Sequence, residues 1–479
     1  MKPRKTGSIK WPMNHSEVLQ LAQKSIDQYL RHLSDRGVGA SVAPLELKEK
    51  LNLSLGAKAQ SDHQLQLDVQ SYLNHAVGTL DPRFMNQLFS GVQPWALAGE
   101  LLATVANTTM ATFEASPVAT LMERELVQHL CQFAGWKNGD GIMVTGGSNA
   151  NLVGMLMARN QLFPDYKKSG VSGARLVAFV SEEAHYSFGK AANIMGIGTD
   201  NIRAVSADEQ GRMLPEALKS AISESRSQGE KPFFIAATAG TTVLGEFDPL
   251  EELSRIARAE KIWLHVDGAW GGSVLVSRKH RHLMKGIELA DSLGWDTHKM
   301  LGTGLVSSFF LTPHANALRT SHGGGGADYI FHASDAGSWD LGPSSLQCGR
   351  KADAIKVWFA WRALGDEGLE TYVDTLFENA QTAATLIKQT AGLELVCEPT
   401  SLNVCFRVKR PHHVPSAQWH RLLREQLMKK GQAMVNMATR KDDSFIRLIT
   451  AHPGQNEKIL KPFFTDLLKA AEDLSSWRG

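Results

Sequence analysis

The rhythm of apolar and polar positions changes twice along the chain. From 16 to 75, apolar residues such as Val18, Leu21, Ile26, Leu30 and Leu33 recur at roughly helical spacing. Pro44 and the polar stretch 56–62 interrupt that pattern. An arm of this kind is too thin to bury its own apolar stripe, so it is expected to pack on another domain or on a second subunit. The segment 81–95 carries Pro82, Gly91 and Pro94 and reads as an irregular connection, and helical patterns follow at 96–105 and 118–134.

From residue 140 short β-rich runs alternate with amphipathic helices. Strands are expected at 141–144, 176–181, 202–204, 233–238, 262–267, 292–295 and 306–311, with helices at 149–160, 186–195, 214–228 and 250–260. Nearly continuous apolar strands separated by helices predict an α/β fold, a mostly parallel sheet covered on both faces. Ligands of such sheets bind beyond the carboxyl ends of the strands. A Gly-rich stretch, 322–326, then leads to a long helical pattern over 351–386. The tail alternates strands at 393–397, 403–408 and 445–450 with helices at 417–429 and 457–474, which predicts a smaller α+β domain.

Composition narrows the class without choosing a chemistry. The 479 residues are 43% hydrophobic and 21% charged, an ordinary globular profile with room for two or three structural units. Lys plus Arg at 51 against Asp plus Glu at 49 leaves +2, too balanced for a general nucleic-acid or anionic-membrane binder. No apolar run is long enough to cross a bilayer. The basic segment 1–10 is followed by Trp11, Pro12, Asn14 and His15 rather than by a secretory core. Cys131, Cys348, Cys397 and Cys405 are scattered without CxxC spacing, so neither a disulfide framework nor a metal site is indicated. A cytoplasmic enzyme is the expectation.

Three segments carry chemistry. In 263–272 a buried strand ends in Asp267 and is followed by small residues that would let a flat ligand approach the backbone. Alone, a strand-end Asp is more often a helix cap or an ion-pair partner. In 292–300 an apolar strand delivers His298 and Lys299 to the same carboxyl edge. In 145–151, Thr145-Gly146-Gly147-Ser148-Asn149-Ala150-Asn151 joins a strand to a helix start, where free N–H groups and the dipole's positive end suit an anion. A Gly-Gly-Ser turn is by itself weak evidence, and neither a Walker motif nor a dinucleotide fingerprint is present. Together the three fit pyridoxal phosphate: an anion cradle, Lys299 for the aldehyde and Asp267 for the pyridine nitrogen. His185, after the strand 176–181, offers a stacking face.

In these stretches the chain resembles the group II pyridoxal-phosphate-dependent decarboxylases of the aspartate aminotransferase fold type, closest to glutamate and cysteine sulfinate decarboxylases. The resemblance also runs through Asp81-Pro82-Arg83-Phe84-Met85-Asn86-Gln87-Leu88, His185-Tyr186-Ser187, Ala237-Thr238-Ala239-Gly240-Thr241-Thr242, Leu346-Gln347-Cys348-Gly349-Arg350 and Asn403-Val404-Cys405-Phe406, from about 80 to 450. It implies a helical arm and dimerisation segment (1–95), a large cofactor-binding domain (96–365) and a small α+β domain (366–479), assembled as a homodimer with active sites at the subunit boundary.

The resemblance implies that Lys299 bonds the cofactor covalently, that Asp267 pairs with the ring nitrogen, and that His185 and Ala269 lie on opposite ring faces. Gly147, Ser148 and Asn149 would hold the phosphate with His298 nearby, and Thr242 would lie near the ring hydroxyl. Tyr329, after the tetraglycine 323–326, matches a loop tyrosine that protonates the substrate α-carbon; a plain flexible loop is the other reading. Arg447 matches a substrate-carboxylate ligand, unless an internal Asp or Glu satisfies it, and Gln87 matches a contact to the distal acid group. The family's Asn-Pro before His-Lys is here Asp296-Thr297. An aspartate would repel phosphate, so Asp296 is assigned no phosphate contact and is expected to point away or to engage a neighbouring cation. Ala111, where the family carries an aromatic ring, leaves extra room and puts glutamate in question. The expected activity is α-decarboxylation of an acidic L-amino acid (glutamate, aspartate or cysteine sulfinate). Decarboxylation of 2,4-diaminobutyrate or an aromatic amino acid, aminotransfer, and non-catalytic cofactor binding are the alternatives.

Overall fold

The computed structural model describes residues 13–39, 41–171, 173–322, 329–331 and 335–476. Its strands are β1 (Phe84–Met85), β2 (Asp140–Val144), β3 (Leu176–Ser181), β4 (Ile202–Val205), β5 (Lys231–Thr238), β6 (Trp263–Asp267), β7 (Ser292–Asp296), β8 (Ser308–Thr312), β9 (Leu393–Leu395), β10 (Asn403–Val408), β11 (Met434–Arg440) and β12 (Asp443–Ile449). Seven of them form one sheet in the order β2-β8-β7-β6-β5-β3-β4. Only β8 opposes its neighbours; β7, β6, β5, β3 and β4 pair in parallel.

Successive side chains of a strand point to opposite faces, and here both faces are buried. Phe234 and Ala236 of β5 join a core shared with the helices Gly147–Leu162 and Ser187–Ile194. Ile235 and Ala237 join the other core, with Leu218, Leu253 and Val357. This double burial explains why these strands read as near-continuous apolar runs. β8 begins at Ser308 rather than at 306, because Ser307 is tied back to Thr297 and His298. Leu305 and Val306 are left exposed.

The second sheet, β1-β11-β12-β10-β9, is antiparallel except for β1 on β11. Its core packs on the helices Ser416–Lys429 and Glu457–Ser476. Two of its strands were not expected. β1 arises inside the irregular connection. β11 is only half-buried, so its pattern is mixed; it forms a hairpin with β12 across Lys441 and Asp442, both at positive φ. The long helix Ala354–Gln389 breaks at Gly365, which adopts φ 65°. Its Val357, Leu369 and Val373 serve the large core and its Ala380, Ala383 and Ile387 the small one.

The arm contains the helices His15–Arg31, Leu33–Arg36, Pro44–Lys50 and Asp62–His75, none with a buried residue. Asn14 opens the first through a capping box with Glu17. Pro44, expected to interrupt a helix, instead starts one, as suits a residue without an N–H. No described helix is long and apolar enough to cross a membrane.

Candidate active site

β5, β6 and β7 end at one edge, where Thr238 is in register with Asp267 and Asp267 with Gly294. A 270 Å³ cavity lies there, lined by Gly147, Ser148, His185, Thr242, Asp267, Ala269, His298 and Lys299. Residues proposed from separate stretches of sequence thus meet around one space. The cradle forms because Gly146 adopts φ 117°, a left-handed value favouring glycine, and turns β2 into the helix Gly147–Leu162. A Cβ on Gly147 would lie 2.9 Å from both Ala269 Cβ and Asp296 Oδ2, so a side chain there would fill the cradle.

Asp267 is buried and held from both oxygens. Asn151 Nδ2 donates to Oδ2 at 2.8 Å and the Ala269 N–H to Oδ1 at 3.1 Å. The same Asn151 nitrogen donates to Ser187 Oγ at 2.9 Å, and its Oδ1 faces His265 Nε2 at 2.9 Å. His265 Nδ1 faces Ser292 Oγ at 2.8 Å, which also accepts from Trp263 Nε1. The chain of bonds assigns the tautomer. An amide oxygen only accepts, so His265 carries its proton on Nε2 and accepts the serine hydroxyl at Nδ1. Full burial pushes its pKa down to about 3, so it stays neutral.

Lys299 sits on the short helix Thr297–Met300 that β7 runs into. Its Nζ is 3.2 Å from Asp296 Oδ2. Asp296 therefore engages a neighbouring cation, one of the two outcomes expected for it. His298 Nδ1 lies 3.0 Å from Ser307 O and 3.2 Å from Ser307 N, and burial lowers its pKa. His185 is half-buried, accepts the Ser187 N–H at Nδ1, and has a pKa lowered chiefly by burial.

Other expected residues fall outside the cavity wall. Asn149 Oδ1 accepts the Thr145 N–H at 3.4 Å, closing the loop on itself. Gln87 is exposed, while its neighbour Leu88 lines the cavity. Arg447 is 7% exposed and stands one layer behind, donating to Thr242 O at 2.6 Å and to Asn86 O at 3.2 Å. Its Nε has no partner, and no carboxylate among the described residues forms an ion pair with it. Burial lowers its pKa. Tyr329 is 78% exposed; the tetraglycine lies outside the described residues. Gly342, beside Ala111, donates its N–H to Ala111 O, and a Cβ on it would meet Phe331, so an aromatic ring borders this region after all.

The sequence assigns Thr238 no role and places Asn151 only at the end of the 145–151 anion cradle, whereas the folded chain turns Asn151 to Asp267. Asn151 lies four residues after Gly147, one helical turn on, which carries it to the sheet side. Thr238 lines the cavity with Oγ1 buried and unpartnered.

The residues present fit pyridoxal phosphate. Each oxygen of Asp267 accepts one hydrogen bond and has capacity for another; the cradle excludes side chains; an amine stands at the same cavity. Fold and site together define a pyridoxal-phosphate enzyme. Residues 44–409 match the model of the pyridoxal-dependent decarboxylase conserved domain. The chain is 39% identical over 449 residues to the cysteine sulfinic acid decarboxylase of Homo sapiens, covering 90% of each. It is 40% identical over 407 residues to the acidic amino acid decarboxylase GADL1 of Bos taurus, covering 82% of this chain and 78% of the relative. The crystal structure of mouse CSAD superposes with a TM-score of 0.92 at 36% identity, over 96% of this chain and 99% of that one. The chain belongs to the pyridoxal-dependent decarboxylase family and is a pyridoxal-phosphate-dependent amino-acid decarboxylase.

Proposed function

We propose that the protein α-decarboxylates an acidic L-amino acid (glutamate, aspartate or cysteine sulfinate), giving the amine and carbon dioxide. Arg447 carries this reading. Among the described residues this buried guanidinium is held by two backbone carbonyls, its Nε is free, and no anion offsets its burial. Its partner Thr242 lines the cavity, so a substrate carboxylate is the anion that suits it. The names of the relatives, cysteine sulfinic acid decarboxylase and acidic amino acid decarboxylase, support the same class.

When bound, pyridoxal phosphate supplies the electron sink for the bond to the leaving carboxylate. Lys299 contributes the amine that holds the cofactor. Asp267, fixed by Asn151 and Ala269, keeps a proton at the ring nitrogen. His185 and Ala269 would face the ring from opposite sides, Gly147 and Ser148 would cradle the phosphate beside His298 with Asn149 holding the loop closed behind them, and Thr242 would lie by the ring hydroxyl. Gln87, exposed beside the cavity-lining Leu88, would be the contact to the substrate's distal acid group that the family resemblance implies. Tyr329 Oη, on an exposed residue, would deliver the proton to the α-carbon, the role the family resemblance gives it.

A homodimer is part of the proposal. The arm exposes Leu19, Leu45 and Leu55, the helix Pro94–Ala106 exposes Trp95, Leu101 and Leu102, and Val306 is exposed at the cavity wall. The four free, scattered cysteines support a reducing, cytoplasmic setting.

The test is carbon dioxide release from the three acids, 2,4-diaminobutyrate and aromatic amino acids, with wild type and Arg447→Lys. Losing the planar fork should lower kcat/KM for the acid roughly tenfold to a hundredfold, from about 1.5–3 kcal/mol for a charged hydrogen bond. Turnover of the non-acidic substrates alone, with the variant indistinguishable from wild type, overturns the assignment.

A further inference from the structure

Two requirements of the site meet on Asp296. The residue ends β7 and is 1% exposed. Its Oδ2 is 3.2 Å from Lys299 Nζ and 3.9 Å from His298 Nε2, and its Oδ1 has no hydrogen-bond partner. Oδ2 also overhangs the cradle, 2.9 Å from where a Cβ on Gly147 would stand. The Lys299 ammonium must lose a proton before Nζ can act as a nucleophile. A buried carboxylate beside the cradle would meanwhile repel an incoming phosphate. One proton transfer meets both demands.

We propose that Asp296 is the group that accepts the Lys299 proton when the cofactor loads. The N–H bond of the ammonium breaks, its electron pair stays on Nζ, and the proton forms an O–H bond at Asp296 Oδ2. No other reactant is needed. The neutral carboxylic acid that results donates a hydrogen bond where the carboxylate would repel.

Among the described residues, His298 and His185 also interact electrostatically with Asp296. His298 Nδ1 is engaged with Ser307, and burial lowers the basicity of both rings. An amide at 296, as in the Asn-Pro pattern, would carry no charge and need no proton. The inference rests on Lys299 being the cofactor lysine.

Infrared difference spectra of the chain loaded with pyridoxal 5'-phosphate against the cofactor-free chain test it, with loading followed by visible absorbance. Wild type is expected to gain one carboxylic-acid C=O band, shifted in D2O, which Asp296→Asn lacks. Should that variant load poorly, Asp296→Glu is expected to move the band's frequency. A fully loaded wild type without the band, a band that persists in Asp296→Asn, or a frequency unmoved in Asp296→Glu overturns the proposal. Failure of wild type to load at all overturns the cofactor reading with it, and is seen first in the absorbance.

Discussion

Replacing Asn151 by Ala removes hydrogen bonds to Asp267, His265 and Ser187 in one step. Asn151 is 1% exposed, so water does not take their place. The bond to the Asp267 carboxylate contributes about 1.5–3 kcal/mol and the two neutral ones about 1 kcal/mol each. The variant should therefore lose about 3.5–5 kcal/mol in urea unfolding of the cofactor-free chain. With Asp267 no longer fixed, cofactor affinity should fall at least roughly tenfold, about 1.4 kcal/mol. Asn151→Asp keeps the volume but sets a second carboxylate against Asp267. Both cannot ionise there, so one keeps a proton that the unfolded chain releases. Its folded pKa is raised, so its stability is present below about pH 4 and is lost at about 1.4 kcal/mol per unit as pH rises to the folded value. An Asn151→Ala chain within 1 kcal/mol of wild type, with cofactor affinity unchanged in an absorbance titration, would refute the claim that this amide fixes the carboxylate.

Tyr329→Phe should leave unfolding unchanged, because the ring is 78% exposed, and should shift products toward decarboxylation-dependent transamination; chromatography of amine against carbonyl product reads this, and an unaltered ratio removes Tyr329 as the proton donor. His265 cannot accept the proton that its unfolded counterpart takes below about pH 6.5, since its folded pKa is pushed down to about 3. The unfolded state then binds more protons, so His265 costs stability as pH falls, about 2 kcal/mol between pH 6.5 and 5. Asp248, pushed up to about 7 by burial, acts in the opposite sense over that window. The comparison is therefore with His265→Gln, whose urea-measured stability should fall less steeply than wild type by about 1.4 kcal/mol per pH unit; parallel curves would show that His265 takes up its proton in the folded chain.

The elements best legible in the sequence were those buried on both faces. β3, β10 and the helix Leu250–Glu260 begin and end where the apolar pattern places them, because burial there is nearly complete or cleanly one-sided. β11 was hidden by its half-burial, and its turn residues Lys441 and Asp442 lack the glycine that usually marks such a hairpin. Asp267 and Lys299 could be placed together because adjacent parallel strands deliver their ends to one edge. Pairing across elements was not legible. That His265 meets Asn151 depends on Gly154, whose missing side chain leaves room for the imidazole: a Cβ there would lie 2.7 Å from Nδ1. The sequence alone leaves Arg447 between an internal acid and a substrate carboxylate. Only the folded chain shows two carbonyls in place of the acid.

The segment bearing Lys299 is stapled at its base. Thr297 Oγ1 donates to Ser307 O and accepts from Thr303 Oγ1, and His298 is bound to the same Ser307. With the main chain immobilised on both flanks, only the four methylenes of the lysine remain free to swing. The terminal nitrogen can travel from its resting carboxylate into the cavity as a tethered arm on a rigid post, so each exchange of bonding partner asks for torsions of a single side chain and leaves the sheet undisturbed.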